Sequence, residues 1–357
     1  MNKNTQLIKF PLRHVYLYMT DQCNLRCLHC WVDSKYSISK TSSLNKEIIA
    51  STIRKAKGLG LRSVKITGGE PLLSKNILEI LKEIRKSNIN ISIETNGTLI
   101  EDYIGKALKE TGAFVAVSLD SYAPDRHDLL RGSKGSFRKA VEGIAVLNKY
   151  GVQFGIIFSL YRKNMPDIEK MIRFAKKLNA IKLKINIMAG MGRAASLRED
   201  LMLSVEEIIA LYKKIEPYLE RFPIKTYFNI PSAFISKIGL LKQASRCNVL
   251  NLLGVLSNGD ISLCGIGNTR KELILGNIYS NDLRKVWLEN EVLKSLRKNI
   301  PHKLEGVCGK CIMKYLCLGK CRAEVYNMHK SLVEPFSFCQ EAYEKNLFPK
   351  ARLCENK

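Results

Sequence analysis

Three cysteines stand close together near the beginning of the chain. Cys23, Cys27 and Cys30 lie in the segment MTDQCNLRCLHCW and are separated by three and then two residues. Zinc usually takes four protein ligands, or three and a water in a catalytic site, whereas three cysteines leave one iron of a [4Fe–4S] cluster without a protein ligand. The triplet therefore predicts a metal centre with an open position for a chelating ligand.

The other eight cysteines all follow residue 246, and seven of them are candidate metal ligands. Intervals of two, five and three residues separate the four members of the run from Cys308 to Cys321, a pattern typical of metal sites. Two closely spaced pairs can also make a tetrahedral site, so a zinc ribbon stays open as an alternative for this run. Cys354 is interpreted as an unassigned thiol. The predicted ligands in this part of the chain are Cys247, Cys264, Cys308, Cys311, Cys317, Cys321 and Cys339.

Short β-branched or apolar runs alternate with amphipathic stretches from residue 14 to about residue 190, as repeated β/α units require. Six such units predict an α/β fold, either an incomplete TIM-type barrel or an open parallel sheet, with ligands at the carboxyl ends of the strands. The predicted strands are 14–20, 63–67, 90–95, 114–119, 152–160 and 182–188, and the predicted helices are 45–58, 75–87, 100–111, 136–150 and 166–178.

Polar motifs follow the predicted strands. The turn Gly68-Gly69-Glu70 comes after the second strand; its glycines permit close backbone approach, and its carboxylate can accept from an ammonium group. An ordinary strand-to-helix turn is the alternative interpretation. Asn96 follows the third strand, Ser118 and Asp120 end the fourth, and the loop beyond carries Arg131 together with His127 and Asp128, which are interpreted as loop-packing residues.

Composition narrows the class of protein. The 357 residues, 46% of them hydrophobic, suffice for a large α/β domain and a smaller one. No apolar run reaches the length of a signal peptide or a membrane span, which predicts a cytoplasmic protein. Eleven cysteines in a reducing compartment then indicate metal binding and not disulfides. The formal net charge of +25 suits an anionic partner, and a compositional bias with solvated surface lysines explains it equally well.

Taken in order, the motifs resemble those of the radical S-adenosylmethionine (SAM) superfamily, whose signature is this cysteine spacing after the first barrel strand. His29 stands where many members carry an aromatic residue. The later cysteines resemble the SPASM domain, the auxiliary-cluster module of peptide- and protein-modifying members. The resemblance predicts a partial (β/α)6 TIM-type barrel over residues 1–195, a helical connector over 196–245, a small SPASM domain over 246–345 and a tail over 346–357.

The resemblance implies SAM and three [4Fe–4S] clusters as cofactors. In the family, a reduced cluster cleaves SAM, and the 5′-deoxyadenosyl radical abstracts hydrogen from the substrate. The catalytic cluster would be held by Cys23, Cys27 and Cys30. The residues that would bind SAM are Gly68, Gly69 and Glu70 at its amino group, Ser118 and Arg131 at its carboxylate, and Asn96 and Asp120 nearby.

The same resemblance divides the later cysteines between two auxiliary clusters. The first would use Cys247, Cys264 and Cys321, and the second Cys308, Cys311, Cys317 and Cys339. Residues 248–258 contain no cysteine that could complete the first set. We therefore expect an open iron there, able to take a substrate thiolate. The segment 190–194 resembles the family's loop near the nucleoside of SAM.

Three enzyme functions agree with these motifs. Maturation of a ribosomally made peptide, through a thioether or carbon–carbon bond, is the first hypothesis. It predicts a peptide substrate, an electron donor such as flavodoxin or ferredoxin, and leader recognition by a separate protein, because the first barrel strand begins near residue 14. Oxidative modification of tetrapyrrole side chains is the second, since relatives in the haem pathway share the run Cys321-Arg322-Ala323. Sulfatase-type protein maturation is the third.

A protein of a different class is kept as an alternative, namely a zinc or nucleic-acid-binding protein without catalytic activity. Cysteine clusters and positive charge favour it. The enzyme hypothesis does not include nucleic acid or membrane as a partner. Iron, sulfide and SAM cleavage would separate the enzyme from this alternative.

Overall fold

One sheet of ten strands runs through the computed structural model, which describes residues 8–40, 44–197, 201–219, 221–222, 224–243 and 247–354. Its strands are β1 (His14–Tyr18), β4 (Ser63–Thr67), β5 (Asn90–Thr95), β6 (Phe114–Ser118), β7 (Phe154–Leu160), β8 (Lys182–Ile187), β9 (Lys225–Phe228), β10 (Leu252–Val255), β11 (Asp260–Ser262) and β12 (Ile274–Asn277). The short strands β2 (Gln22–Cys23) and β3 (Lys35–Tyr36) pair separately.

Helices follow the strands of the first two hundred residues and cover one face of the sheet. They are α1 (Lys46–Gly58), α2 (Ile77–Lys86), α3 (Asp102–Thr111), α4 (Pro124–Arg131), α5 (Ser136–Lys149) and α6 (Ile168–Lys177). The later helices are α7 (Val205–Ile215), α8 (Lys237–Gln243), α9 (Leu283–Glu289), α10 (Glu291–Asn299), α11 (Gly306–Lys310), α12 (Lys314–Cys317), α13 (Arg322–His329) and α14 (Ser337–Glu344).

Helix α1 illustrates how these amphipathic segments dock. The Asn45 side chain accepts a hydrogen bond from the Ile48 backbone N–H at 3.0 Å, and this contact caps the first turn. Ile49, Ile53 and Ala56 recur at helical spacing and are fully buried. The apolar stripe therefore faces the sheet.

The strands β1, β4, β5, β6, β7 and β8 lie side by side and parallel in chain order. These are the six strands that the sequence predicts. The predicted fold class, an α/β partial barrel, is confirmed. Because the strands are parallel, their carboxyl ends meet at one edge, where the motif loops begin.

Two parts of the sheet depart from the prediction. Residues 196–245, predicted as a helical connector, contain β9, which pairs in parallel with β8 and extends the barrel by a strand. At the other edge β10, from the predicted SPASM region, pairs in parallel with β1, with His14 opposite Leu252. Both strands have only four residues. An alternation of apolar and polar residues cannot be recognised in so short a segment. Helix α4, which has eight residues, also lies in a segment that the sequence analysis predicts as the loop after β6.

The barrel strands separate two kinds of side chain. Val15 and Leu17 of β1 are buried on the helix-facing side. Tyr16 alternates with them and points to the barrel interior, where it meets Lys65 of β4, whose Nζ lies 3.9 Å from the Tyr16 ring centroid. The interior face of the sheet is therefore polar and charged.

Helices long and apolar enough to cross a membrane are absent from the described residues.

Trp287 of α9 ties the later helices to the start of the chain. It is fully buried, and its indole N–H donates to the Phe10 carbonyl at 2.8 Å. The Arg297 guanidinium packs on its ring at 4.1 Å.

We predict that W287F lowers the free energy of unfolding by about 1–3 kcal/mol, because it leaves the Phe10 carbonyl unpaired and opens a cavity. Trp31, 39% exposed, offers the matched control W31F, which should cost much less. Anaerobic denaturant unfolding measures both. Equal losses for the two variants would contradict the anchoring role of Trp287.

Candidate active site

The cysteine triplet lies in the loop that leaves β1 at the carboxyl edge of the barrel. Cys23 and Cys27 are buried, and Cys30 is half-buried. The Cys23 Sγ accepts from the Leu25 backbone N–H at 3.4 Å, and the Cys30 Sγ lies 3.4 Å from the Ser34 hydroxyl. Burial, followed by the charge of Glu70, raises the pKa of Cys23 to about 12. A buried thiol of this kind becomes a thiolate when a positive metal centre binds it, so the donor set fits an iron–sulfur cluster.

Glycines bring the turn after β4 against this loop. The backbone N–H groups of Gly69 and Glu70 donate to the Thr20 and Gln22 carbonyls, both at 2.8 Å. A Cβ on Gly69 would lie 2.0 Å from the Gln22 carbonyl oxygen, and one on Gly68 would lie 2.5 Å from the Thr20 oxygen. The sequence analysis predicts that these glycines let a ligand approach the backbone. The structure shows that they also let the turn after β4 pack closely against the cysteine loop.

The Glu70 carboxylate joins the loops after β4 and β5. One oxygen accepts from the Thr95 hydroxyl at 2.7 Å and the Leu72 N–H at 3.1 Å, and the other accepts from the Asn96 N–H at 2.8 Å. The Asn96 side chain donates to Asn24 at 2.8 Å and lies 3.9 Å from the Cys23 Sγ. Glu70 and Asn96 therefore lie beside the cysteine loop and fix its position, and the Glu70 oxygen that accepts from Asn96 can accept a further hydrogen bond.

Asp120 and Arg131 form a buried ion pair on the opposite side of the loop. The Arg131 Nη2 lies 2.6 Å from Asp120 Oδ2, and its Nη1 lies 3.7 Å from the Cys27 Sγ. Burial alone would raise the pKa of Asp120, but Arg131 and His29 outweigh that effect and hold the pKa below its usual range. The Arg131 Nε is buried and has no hydrogen-bond partner in the described part of the chain. That donor is available to an anionic ligand.

His29 also contacts this pair, with Nε2 at 3.4 Å from Asp120 Oδ2. Burial is the main reason that the pKa of His29 falls to about 4, so the imidazole is neutral at physiological pH. Ser118 ends β6 at the same edge, and none of the hydrogen bonds among the described residues involves its hydroxyl.

His127 and Asp128 have structural roles in the loop after β6. The His127 Nδ1 accepts from the Asp120 backbone N–H at 3.2 Å. The Asp128 carboxylate accepts from the Ser136 hydroxyl at 2.8 Å and from the Phe137 N–H at 2.7 Å, which orders the start of α5. Both contacts agree with the packing interpretation.

Two further residues, Arg193 and Gly132, contact the cysteine loop in a way that the sequence analysis does not predict. The Arg193 side chain donates to the Cys27 carbonyl at 2.9 Å and the Ser34 carbonyl at 2.8 Å, and its backbone N–H donates to the Cys30 carbonyl at 2.9 Å. Gly132 faces the Arg26 carbonyl, 2.5 Å from the place of a Cβ. The predicted nucleoside loop therefore also braces the cysteine loop. A glycine next to an arginine in a loop is too common to signal this role from sequence.

Cys247, Cys264 and Cys321 come together at the edge of the barrel. Burial and the Cys247 thiol both raise the pKa of Cys321, and burial is the main reason that the pKa of Cys264 rises to about 11. Tyr18, at the end of β1, lies beside this group, and a Cβ on Gly265 would fall 2.0 Å from its hydroxyl. The structure thus brings together the three residues predicted for the first auxiliary cluster.

Four of the other five cysteines surround one small cavity. Cys308, Cys311, Cys317 and Cys339 all line it. Burial, followed by the neighbouring thiols, raises the pKa of Cys339 well above its usual value. The four residues predicted for the second auxiliary cluster therefore face a common space.

Arg322 lies between the two groups of later cysteines. Its side chain is fully buried and donates to the carbonyls of Leu332 at 3.1 Å and Glu334 at 2.8 Å, and to that of Gly319. Within the described ranges no carboxylate pairs with it, and its Nε is unpartnered. An isolated buried cation is costly. Anionic thiolate-bound clusters in both neighbouring groups would supply the missing counter-charge, so the residues present fit such groups.

A single zinc ion finds less support. Across the described residues, no three His, Cys, Asp or Glu side chains gather closely enough to hold one metal ion. None of the eleven cysteines forms a disulfide.

Comparison with known families agrees with this geometry. The model of the radical SAM superfamily matches residues 17–175, and that of the SPASM iron–sulfur cluster-binding domain matches residues 247–312. The chain belongs to the radical SAM superfamily. Together the two matched ranges cover more than half of its 357 residues, and they coincide with the two regions that contain the cysteine groups.

Curated relatives of this radical SAM chain span several reactions. It is 27% identical to the AdoMet-dependent heme synthase of Methanosarcina barkeri over 90% of this chain and 94% of the relative. It is also 27% identical to the subtilosin biosynthesis protein AlbA of Bacillus subtilis over 86% of this chain and 69% of AlbA. A GTP 3′,8-cyclase of Alkaliphilus oremlandii is 29% identical over 85% of this chain and 90% of the cyclase.

Solved structures show the same fold. Streptococcus suis SuiB bound to S-adenosylmethionine has a TM-score of 0.75 at 18% identity and covers 93% of this chain and 77% of its own. The structure of anSMEcpe with bound AdoMet and a peptide has a TM-score of 0.70 at 21% identity, over 93% and 94%. The radical SAM and SPASM domains identify the chain as a radical SAM enzyme whose cofactors are SAM and [4Fe–4S] clusters.

We predict that G69A disrupts the first cluster, because the added methyl group would overlap the Gln22 carbonyl and displace the loop that carries Cys23. Iron and sulfide per chain should fall by about a third, since one of three clusters is lost. G190A is the control, because a Cβ there meets no atom within 4 Å. Full iron content in G69A would contradict this reading of the turn.

We also predict that R322Q shifts the midpoint potentials of the auxiliary clusters to more negative values, because removing a buried cation disfavours the reduced, more negative state. Anaerobic potentiometry followed by electron paramagnetic resonance measures the shift. R322K retains the charge and should restore the potentials. R297Q removes a half-buried guanidinium at Trp287, away from the cysteines, and should leave them unchanged.

Proposed function

We propose that this radical SAM enzyme binds SAM in the mouth of the barrel and oxidises a side chain of a substrate held in the interior. When bound, the cofactors supply one-electron reduction of SAM and a 5′-deoxyadenosyl radical that removes a hydrogen atom from substrate. The observation that carries the proposal is the arrangement of Cys23, Cys27 and Cys30 in one loop beside Glu70 and the Asp120–Arg131 pair. The three thiols are proposed as the ligands of the catalytic cluster.

The residues around this loop can position SAM without rearrangement. Backbone groups of Gly68 and Gly69 and the remaining lone pairs of Glu70 face the cysteine loop, where an ammonium group would be held. The unpaired Arg131 Nε can donate to a carboxylate, with the free Ser118 hydroxyl on the same barrel edge. Asn96 and Asp120 act through the loop and through Arg131, so we propose them as positioning residues.

The later cysteines are proposed to hold two auxiliary clusters. The first set, Cys247, Cys264 and Cys321, provides three protein thiolates, so we propose an open iron in that cluster. The second set consists of Cys308, Cys311, Cys317 and Cys339. We keep the division into a barrel, a connector and a SPASM domain as a proposal, with the difference that the connector supplies β9.

For the substrate, we propose a peptide side chain, modified through a thioether or carbon–carbon bond. Support comes from AlbA, a relative over 86% of this chain that is named as a subtilosin biosynthesis protein. The open iron proposed for the first auxiliary cluster, next to the barrel interior, would coordinate a substrate thiolate. A ferredoxin or flavodoxin as electron donor, a separate leader-binding protein and a cytoplasmic location stay predictions.

Tetrapyrrole modification is the second candidate. Two observations favour it: the match to a heme synthase over 94% of that relative, and a match at 27% identity to the Fe-coproporphyrin III synthase of Methanosarcina barkeri. The run Cys321-Arg322-Ala323 adds to this support.

SAM cleavage tests the shared proposal. Anaerobically reconstituted, dithionite-reduced enzyme should form 5′-deoxyadenosine and methionine from SAM, measured by liquid chromatography. C27A should form none, because the cluster loses a ligand. C354A is the matched control, since Cys354 is exposed and is not among the proposed cluster ligands, and it should keep wild-type turnover. Wild-type enzyme that forms no 5′-deoxyadenosine, or C27A that forms as much as C354A, would refute the proposal.

A further inference from the structure

The barrel interior contains a layer of charged side chains. It lies below the carboxyl edge of the barrel strands, where SAM is proposed to bind; this edge is called the SAM-binding edge. Lys65 of β4 and Glu94 of β5 form an ion pair at 3.0 Å. Their side chains are 23% and 32% exposed although they point into the barrel, so solvent reaches the interior. Lys65 stands two residues before the end of β4, which places the layer roughly 7 Å below the end of that strand at about 3.3 Å per residue.

Lys184 belongs to this layer and is the exposed member of it. It alternates along β8 with the buried, helix-facing Leu183 and Ile185, and its charge interacts with those of Glu94 and Lys65 across the barrel. Among the described residues it forms no hydrogen bond and no ion pair, because the neighbouring Glu94 carboxylate is already bound to Lys65.

The surroundings add positive charge. Lys182, two residues earlier on β8, faces the same side and lies over the Phe114 ring at 3.8 Å. At the open side of the barrel, the Lys320 ammonium group donates to the Asn229 side chain at 2.7 Å and carries its charge close to Lys184. Among the described residues around this layer, the lysines outnumber the carboxylates, which are Glu94 and, beside Lys320, Glu324. Although solvent reaches Lys184, its partial desolvation inside the barrel and the charges of Lys65 and Lys182 lower its pKa against the opposing effect of Glu94.

A second polar group next to Lys184 lacks a partner. The Asn186 side-chain oxygen is buried and has no hydrogen bond within the described residues. It follows Lys184 on the same face of β8, on the side of the SAM-binding edge. A ligand that reaches Lys184 from the mouth of the barrel must pass Asn186, which can accept a hydrogen bond from it.

We propose that Lys184 anchors a carboxylate of the substrate inside the barrel. This inference deepens the proposed function, on which it rests. The substrate class is a molecule with a carboxylate within a few bonds of the carbon to be oxidised. A propionate of a tetrapyrrole and a glutamate or aspartate side chain of a peptide both have this chemistry. The anchored group lies between the SAM-binding edge and the first auxiliary cysteine set, whose Cys264 is close enough to Lys65 for their charges to interact.

The test measures binding to the reconstituted holoenzyme with SAM present. The probes are coproporphyrin III and its tetraamide, followed by absorbance, and an acetylated hexapeptide with a central glutamate and its glutamine counterpart, followed by calorimetry. We expect one of the two acids to bind more tightly than its neutral counterpart. K184Q should weaken binding of that acid about tenfold, the loss of one charge-assisted hydrogen bond.

Two variants keep the test interpretable. K184R retains a cation in the layer and should restore the affinity, which also shows that the position tolerates substitution. K177Q removes an exposed lysine at the end of α6, outside the barrel, and should bind like wild type. Whichever acid is preferred identifies the source of the carboxylate.

Equal affinity of wild type and K184Q for both acids would overturn the proposal. So would the failure of wild type to prefer either acid to its neutral counterpart. Formation of 5′-deoxyadenosine by wild-type enzyme is assayed separately. Its absence, with acid binding intact, would refute the proposed function and leave the carboxylate anchor standing.

Discussion

Close backbone contact around the cysteine loop is the constraint on which the rest of the site depends. Loops from three parts of the barrel press against it, and each does so through glycine: Gly69 after β4, Gly132 after α4 and Gly192 after β8. A side chain at any of these positions would overlap a loop carbonyl. Hydrogen bonds from Gly69 and Arg193 then fix the loop at both ends. The thiols are thus placed by backbone geometry before any cofactor binds.

Buried charge is the second organising feature. Asp120 with Arg131 and Lys65 with Glu94 are paired directly, at 2.6 Å and 3.0 Å. Within the part of the chain that the structure describes, Arg322 has no such partner and lies between two groups of cysteines. An unpaired charge is costly in a protein interior. Arg322 therefore marks a place where the chain relies on negative charge from its cofactors. The apolar side of the sheet carries most of the packing, and the polar side carries the chemistry.

Much of the barrel is predictable because its strands alternate and its helices are amphipathic. The six predicted strands and five predicted helices agree with the structure to within two residues at each end. The division of the later cysteines into two ligand sets follows from the resemblance to the SPASM domain and stays a prediction. The hydrogen bonds that join one motif loop to another could not be predicted from the sequence. Glu70, predicted as a ligand of SAM, also accepts hydrogen bonds from Thr95 and Asn96, and no pattern within one loop encodes a contact with another.

The pairing of β1 with β10 has a consequence for how the protein is made. β1 is the first strand of the barrel to leave the ribosome, yet one of its two neighbours, Leu252–Val255, is synthesised only after the whole barrel. Until then β1 presents an open edge, and contacts of such large sequence separation form slowly. We therefore expect the nascent barrel to remain incomplete and in need of protection until the SPASM strands arrive, so that the two domains mature as one cooperative unit.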